Sequence, residues 1–104
     1  MSRELVFLPE VRQDFIDTFQ YYESLSPRSG GARFETVFKR AIQQVKSGVI
    51  THKTAFGIYH RVLLTPFPYT LYYRLLDERV VIVGLLYARF EPSKIERLLK
   101  GRNQ

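Results

Sequence analysis

From Ile58 to Pro92 the sequence IYHRVLLTPFPYTLYYRLLDERVVIVGLLYARFEP repeats with a period of two, which commits this part of the chain to a sheet. Ile58, His60, Val62 and Leu64 share one face of an extended segment, and Tyr59, Arg61 and Leu63 share the other. Thr65-Pro66-Phe67-Pro68 must be a connection, because neither proline can donate to a strand ladder. Tyr69, Leu71, Tyr73 and Leu75 then alternate with Thr70, Tyr72, Arg74 and Leu76. Asp77-Glu78 makes the next turn, and Arg79 to Tyr87 is almost continuously apolar, as a central strand is. The stretch predicts an antiparallel meander of three strands.

The residues before the meander follow a different rhythm. Arg3 to Leu8 is rich in strand formers and is stopped by Pro9. Pro9 suits the first turn of a helix, with Glu10 near its positive end. Val11, Phe15, Thr18/Phe19, Tyr22 and Leu25 keep to one helical stripe, which should end near Ser26 because Pro27 follows. After the loop Ser-Pro-Arg-Ser-Gly-Gly, residues Phe34, Val37, Phe38, Ala41, Ile42 and Val45 mark a second helix that Gly48 is placed to end. Two helices of similar length and a short loop predict an antiparallel hairpin. Thr51 to Phe56 reads as an exposed linker. Glu91-Pro92-Ser93 opens a short last helix with Ile95, Leu98 and Leu99 on its apolar stripe, Gly101 closes it, and the tail Arg102-Asn103-Gln104 is expected to fray. The order β-α-α-β-β-β-α is an α+β domain, a helical hairpin packed on an antiparallel sheet with a short C-terminal helix.

The 104 residues suit a single domain spanning 1–104. An apolar fraction of 45% and an aromatic fraction of 14% are enough for a packed interior. The absence of cysteine excludes disulfides, thiolate zinc sites and cysteine nucleophiles, and is compatible with a reducing cytoplasm. His52 and His60 stand at no helical spacing and have no thiolate company, so neither a metal nor a cofactor is expected. The first fifteen residues lack the apolar core of a signal peptide, and the run Val80 to Ala88 falls short of the ~20 residues a membrane helix needs. A soluble cytoplasmic protein is expected. Sixteen Lys and Arg against ten Asp and Glu leave a formal charge of +6, which attracts nucleic acid or an acidic protein.

The usual catalytic groupings are missing. Gly30-Gly31 has neither the lysine of a phosphate loop nor dinucleotide spacing, and reads as a hinge between helices. No serine sits on a nucleophile elbow, and the meander lacks paired carboxylates. It offers arginine and tyrosine instead. Tyr59, Arg61, Tyr72, Arg74, Tyr87 and Arg89 are expected on or beside the sheet, away from the aliphatic core. Guanidinium forks recognise carboxylates and phosphates, and phenol rings stack on bases or on apolar side chains of a partner. Lys94 and Arg97 of the last helix would add a basic rim. His60, on the aliphatic face, reads as a core histidine with its hydrogen bonds satisfied.

Three motifs in this order resemble one family. Phe67-Pro68-Tyr69 with Leu71-Tyr72-Tyr73-Arg74 is similar to the central strand of the RelE/ParE superfamily of type II toxin–antitoxin toxins. Asp77 to Val83 resembles the turn and apolar strand after it, and Tyr87-Ala88-Arg89-Phe90-Glu91-Pro92 resembles the closing H-x-R-R-[DE]-P motif. The ParE-like (plasmid-stabilisation) branch is the nearer match. The resemblance implies a toxin that binds DNA gyrase and is neutralised by a cognate antitoxin, as a homodimer or a toxin–antitoxin hetero-oligomer. It departs from the ribonuclease branch where Tyr87 replaces the frequent His, Phe90 replaces the second Arg, and Thr70 stands where an Arg commonly follows the opening Tyr. RNA cleavage by that route needs cations around the scissile phosphate and a group that activates the ribose hydroxyl. Two lost positive positions argue against it. The alternative, a ribosome-dependent mRNA endoribonuclease, would rely on Arg61, Tyr87 and Arg89. A third reading is an inactive member kept as a binding module.

Overall fold

The computed structural model describes residues 3–48, 52–102 and 104. Strand β1 (Glu4–Phe7) leads into helices α1 (Pro9–Leu25) and α2 (Gly30–Ser47). Strands β2 (Thr54–Ala55), β3 (Tyr59–Leu63), β4 (Tyr69–Leu76) and β5 (Arg79–Tyr87) follow, and α3 (Pro92–Gly101) comes last. Pro9 occupies the start of α1, where its missing N–H costs nothing, and Glu10 lies in the first turn. Gly48 ends α2 in the left-handed region at φ 69°.

The junction between α1 and α2 is built for closeness, and the expected hinge is instead a tight crossing. A Cβ on Gly30 would lie 2.0 Å from the Tyr22 carbonyl oxygen, and one on Gly31 would lie 2.6 Å from the Phe19 ring. The Glu23 carboxylate accepts the Arg28 N–H at 2.5 Å and the Gly31 N–H at 3.1 Å, placing negative charge at the positive end of α2. Helix ends that lack internal partners are satisfied here by a side chain of the neighbouring helix.

The meander forms as expected, β3–β4 and β4–β5 being antiparallel. Two strands join it at the edges, giving the order β1-β5-β4-β3-β2. β1 lies parallel to β5, from Glu4 opposite Arg79 to Phe7 opposite Ile82, so the sheet is mixed. Thr54 and Ala55, expected in a linker, pair with His60 and Tyr59 as a short edge strand; Thr51 lies outside the described residues. Between Tyr72 and Tyr73 the register shifts: Tyr72 opposes Gly84 and Tyr73 opposes Ile82, leaving Val83 as the extra residue of a bulge.

Each face of the sheet has its own cover. The hairpin takes one face, where the rings of Tyr22 and Phe34 lie 6.0 and 5.9 Å from Tyr69. Phe34, fully buried, also packs against Phe15, Phe38 and Phe67. α3 takes the other face, close enough that a Cβ on Gly84 would meet Leu99 at 3.1 Å.

The tail does not fray at the residues described; Asn103 lies outside them. β1 ends at Phe7, and the Leu8 N–H bonds the Ile82 carbonyl at 3.1 Å, so among the described residues no strand flanks β5 beyond that point on this side. Asp14 of α1 and Arg102 fill the gap. The Asp14 carboxylate accepts the Leu85 N–H at 3.0 Å, and the Arg102 guanidinium donates to the Val83 carbonyl at 2.8 Å. The two side chains pair with each other at 2.6 and 3.0 Å, with only 14% and 12% of their surface exposed. A pair this shielded also satisfies two backbone groups of an open sheet edge. Asp14→Ala or Arg102→Ala should each cost about 2–4 kcal/mol, since each leaves a charge and a backbone group unpartnered. Urea unfolding of the double variant should show a loss smaller than the sum. Fully additive losses would mean that the contact is incidental.

Candidate partner-binding surface

The sheet register sorts the expected site residues between two faces. Arg61 opposes Tyr72 and Tyr72 opposes Gly84, whereas Tyr69 opposes Tyr87. Tyr69 and Tyr72 are three residues apart on one strand with no bulge between them, so they project from opposite faces. Arg61 therefore lies on the α3 face and Tyr87 on the hairpin face. The trio Arg61, Tyr87 and Arg89 is not brought together.

On the α3 face the expectation of exposed tyrosines needs correction. Tyr59 and Tyr72 are 2% and 4% exposed, because α3 and the tail close over them. Gln104 donates to the Tyr59 hydroxyl at 2.8 Å and to the Leu99 carbonyl at 2.8 Å, while Arg74 Nη1 donates to Gln104 Oε1 at 3.1 Å. Arg74 is thus half-buried beneath the tail, with no partner for Nε among the described residues. Burial pushes the Tyr72 hydroxyl above its ordinary pKa, against smaller opposing effects of Thr70 and Arg61. Arg61 itself is exposed on β3.

On the hairpin face, where the end of α1 meets the start of β4 and the end of β5, an aromatic cleft of about 450 Å³ opens. Tyr21, Tyr22, Pro68, Tyr69, Tyr87, Arg89 and Phe90 line it. Tyr69 and Tyr87 stand edge-on at 5.6 Å, as do Tyr87 and Phe90 at 5.5 Å. Burial raises the pKa of Tyr22, helped by the neighbouring phenols of Tyr69, Tyr21 and Tyr87 and opposed by Arg89. Burial raises that of Tyr69 as well. The raised values keep Tyr22 and Tyr69 protonated at neutral pH, able to donate and accept hydrogen bonds. Lys94 Nζ sits 3.8 Å above the Phe90 ring, a cation–π contact, and Arg97 is exposed one turn further along α3.

A third region was not foreseen. Val37, Arg40, Ala41 and Gln44 of α2 and residues 62–65 form a groove of about 140 Å³. Beside it, Arg33, Thr36, Val37, Pro66 and Phe67 line an open apolar hollow of about 440 Å³. Leu64 N–H bonds the Tyr69 carbonyl, so the backbone groups of Leu63 point away from β4. Among the described residues no strand pairs with β3 beyond Arg61, and the Leu63 side chain is 62% exposed. The usable signal was Arg33 and Arg40, seven residues apart and each one position before an apolar-stripe residue of α2.

His60 is a partly buried histidine with partners, as its position on the aliphatic face suggested. Its ring stacks on Tyr73 at 5.0 Å, and its Nδ1 lies 2.9 Å from the His52 carbonyl, which can only accept. His52 Nδ1 lies 2.8 Å from the Tyr73 hydroxyl. Among the described residues no three acidic or histidine side chains converge on a metal position, and no helix is long and apolar enough to cross a membrane. Burial, then His60 and Arg3, lower the His52 pKa from its ordinary 6.5. The unfolded chain then binds this proton more tightly than the folded one. The stabilisation is therefore complete above about pH 6.5 and is lost as the pH falls below it, levelling out only beneath the depressed folded pKa. Urea titrations between about pH 5 and pH 8 should show that decline, and His52→Gln should flatten it.

Comparison with known proteins places this architecture. No protein-family model matches the chain. The chain is 24% identical over 102 residues to "Toxin ParE2" of Mycobacterium tuberculosis, in two strains, covering 98% of this chain and 97% of that protein. Its fold matches a solved structure described as the "Chromosomal ParDE TA system from P. aeruginosa" with a TM-score of 0.70 and 12% identity. That match covers 85% of this chain and 98% of the other.

Proposed function

We propose that the chain is a ParE-like member of the RelE/ParE superfamily and the toxin of a type II toxin–antitoxin pair. In this reading a cognate antitoxin neutralises it, and its target is DNA gyrase, reached by binding and not by catalysis. The name of the mycobacterial relative and the ParDE assembly of the structural neighbour support the toxin reading.

The observation that carries the choice of target is the separation of Arg61 from Tyr87 across the sheet. A ribonuclease must gather its cations and its proton-transfer group around one phosphate. Here Thr70, where the cleaving branch commonly has an arginine, is 2% exposed on the α3 face, and Tyr87 lies on the other. Arg89, Lys94 and Arg97 remain exposed and suit an acidic target surface.

The antitoxin would dock on the groove between α2 and β3. The open edge at Leu63 can receive an added strand, the hollow at Phe67 can receive apolar side chains, and Arg33 and Arg40 match acidic ones. Tyr59 and Tyr72 leave the list of contacts, because each is buried within this chain.

Purified protein should block gyrase supercoiling while leaving ribosome-bound mRNA intact, and Arg89→Ala should weaken the block. Cleaved mRNA with unaffected gyrase would overturn the reading. Arg33→Glu with Arg40→Glu should weaken binding of the small acidic protein from the adjacent reading frame by roughly tenfold or more, measured by calorimetry.

A further inference from the structure

We infer that the aromatic cleft between the end of α1 and the ends of β4 and β5 is a nucleotide-binding site, with a base held among the tyrosines and its phosphate on Arg89. Packing accounts for only part of the cleft. Tyr22 and Tyr69 are needed in the interior, where Tyr22 meets Phe67 at 4.7 Å and Tyr69 meets Phe34 at 5.9 Å. Tyr21 has no such duty: its side chain is 53% exposed, yet it stands edge-on to Tyr22 at 5.1 Å and forms part of the wall. Arg89 is exposed at the same opening.

Size, surface and charge agree on the ligand. A volume of about 450 Å³ falls in the range of small-molecule pockets and suits a nucleobase with its sugar. Tyrosine rings offer stacking faces to any base, and protonated phenols can meet the donors and acceptors on its edge. Among the described residues lining the cleft Arg89 alone is charged, so the electrostatic preference is for an anion. Beyond Phe90, Lys94 and Arg97 continue the positive charge along α3, where the next phosphates of a strand would lie. The site lies on the hairpin face, across the sheet from Arg61 and Thr70, and does not depend on which protein the chain targets.

The same chemistry could come from a free nucleotide or from a base in a single strand. Two fluorescent probes separate the sources: 2-aminopurine ribonucleoside monophosphate, and a single-stranded tetranucleotide carrying one 2-aminopurine. Both are excited beyond the tyrosine absorption band, so quenching reports stacking of the probe. Saturable quenching of either probe by the full chain is expected. Saturation by the mononucleotide indicates a free ligand, and saturation by the tetranucleotide alone indicates a strand.

Tyr21→Ala and Arg89→Ala alter exposed side chains, and each should weaken binding about tenfold with an unchanged circular dichroism spectrum. Arg89→Lys should recover part of that loss. The control Lys39→Glu, exposed on α2 and outside the cleft, should bind as the parent chain does. The inference is overturned if neither probe saturates, or if quenching is indifferent to both substitutions. It is also overturned if an acidic peptide with an aromatic residue occupies the cleft while both probes fail. None of these outcomes depends on gyrase inhibition, so the site and the proposed target stand or fall separately.

Discussion

The half of β5 beyond Ile82 is an open sheet edge, and the ion pair of Asp14 and Arg102 closes it. Asp14 comes from the helical hairpin on one face and Arg102 from just beyond α3 on the other. Their contact passes around the edge of β5 and draws both covers onto it. Without it, the Val83 carbonyl and Leu85 N–H would lose these partners at residues that are 0% and 2% exposed. The pair joins residues 88 apart in sequence, so it ties nearly the whole chain into one closed loop.

That closure bears on how the surface is divided. α3 is short, and its seal over Tyr59 and Tyr72 is completed by the tail, with Gln104 spanning Arg74, the Tyr59 hydroxyl and the end of α3. The tyrosines of that sheet face have thereby become interior, while Arg61 stays exposed. The surface left for partners is peripheral: the groove along α2, the open edge of β3, the aromatic cleft, and the basic residues of α3. On the proposed reading, recognition falls at the rims of the sheet and not at its middle.

Much of this was legible in the residues. The period-two stretch gave the meander, the stripe through Phe34 and Val45 gave α2, and Pro9, Pro92 and Gly48 marked helix ends at their observed places. The missed features depend on contacts distant in sequence. β1 carries no local mark of parallel pairing, and two residues such as Thr54 and Ala55 have too short a pattern to show as a strand. The fraying expected of Arg102 and Gln104 followed from their position at the terminus, whereas their partners lie 88 and 45 residues away. The same holds for the site. Alternation put Tyr59 and Arg61 on one face of β3, but it could not supply the register that sets Arg61 opposite Tyr72 or say that α3 would cover the tyrosines.

The bulge at Val83 has the widest reach of any single position. Strand side chains have a parity, and one inserted residue reverses it for everything downstream. With the insertion, Tyr87 opposes Tyr69 and faces the helical hairpin; in an uninterrupted ladder it would project beneath α3. Loss of Val83 would therefore join Ile82 to Gly84 in an unbroken ladder and leave Tyr87 opposite Tyr69, whereas keeping all nine residues without the bulge would turn the last four residues of β5 inside out. A strand one residue shorter and free of the bulge thus presents the same chemistry on the same face, so the extra residue and the bulge must be gained or lost together for the cleft to survive.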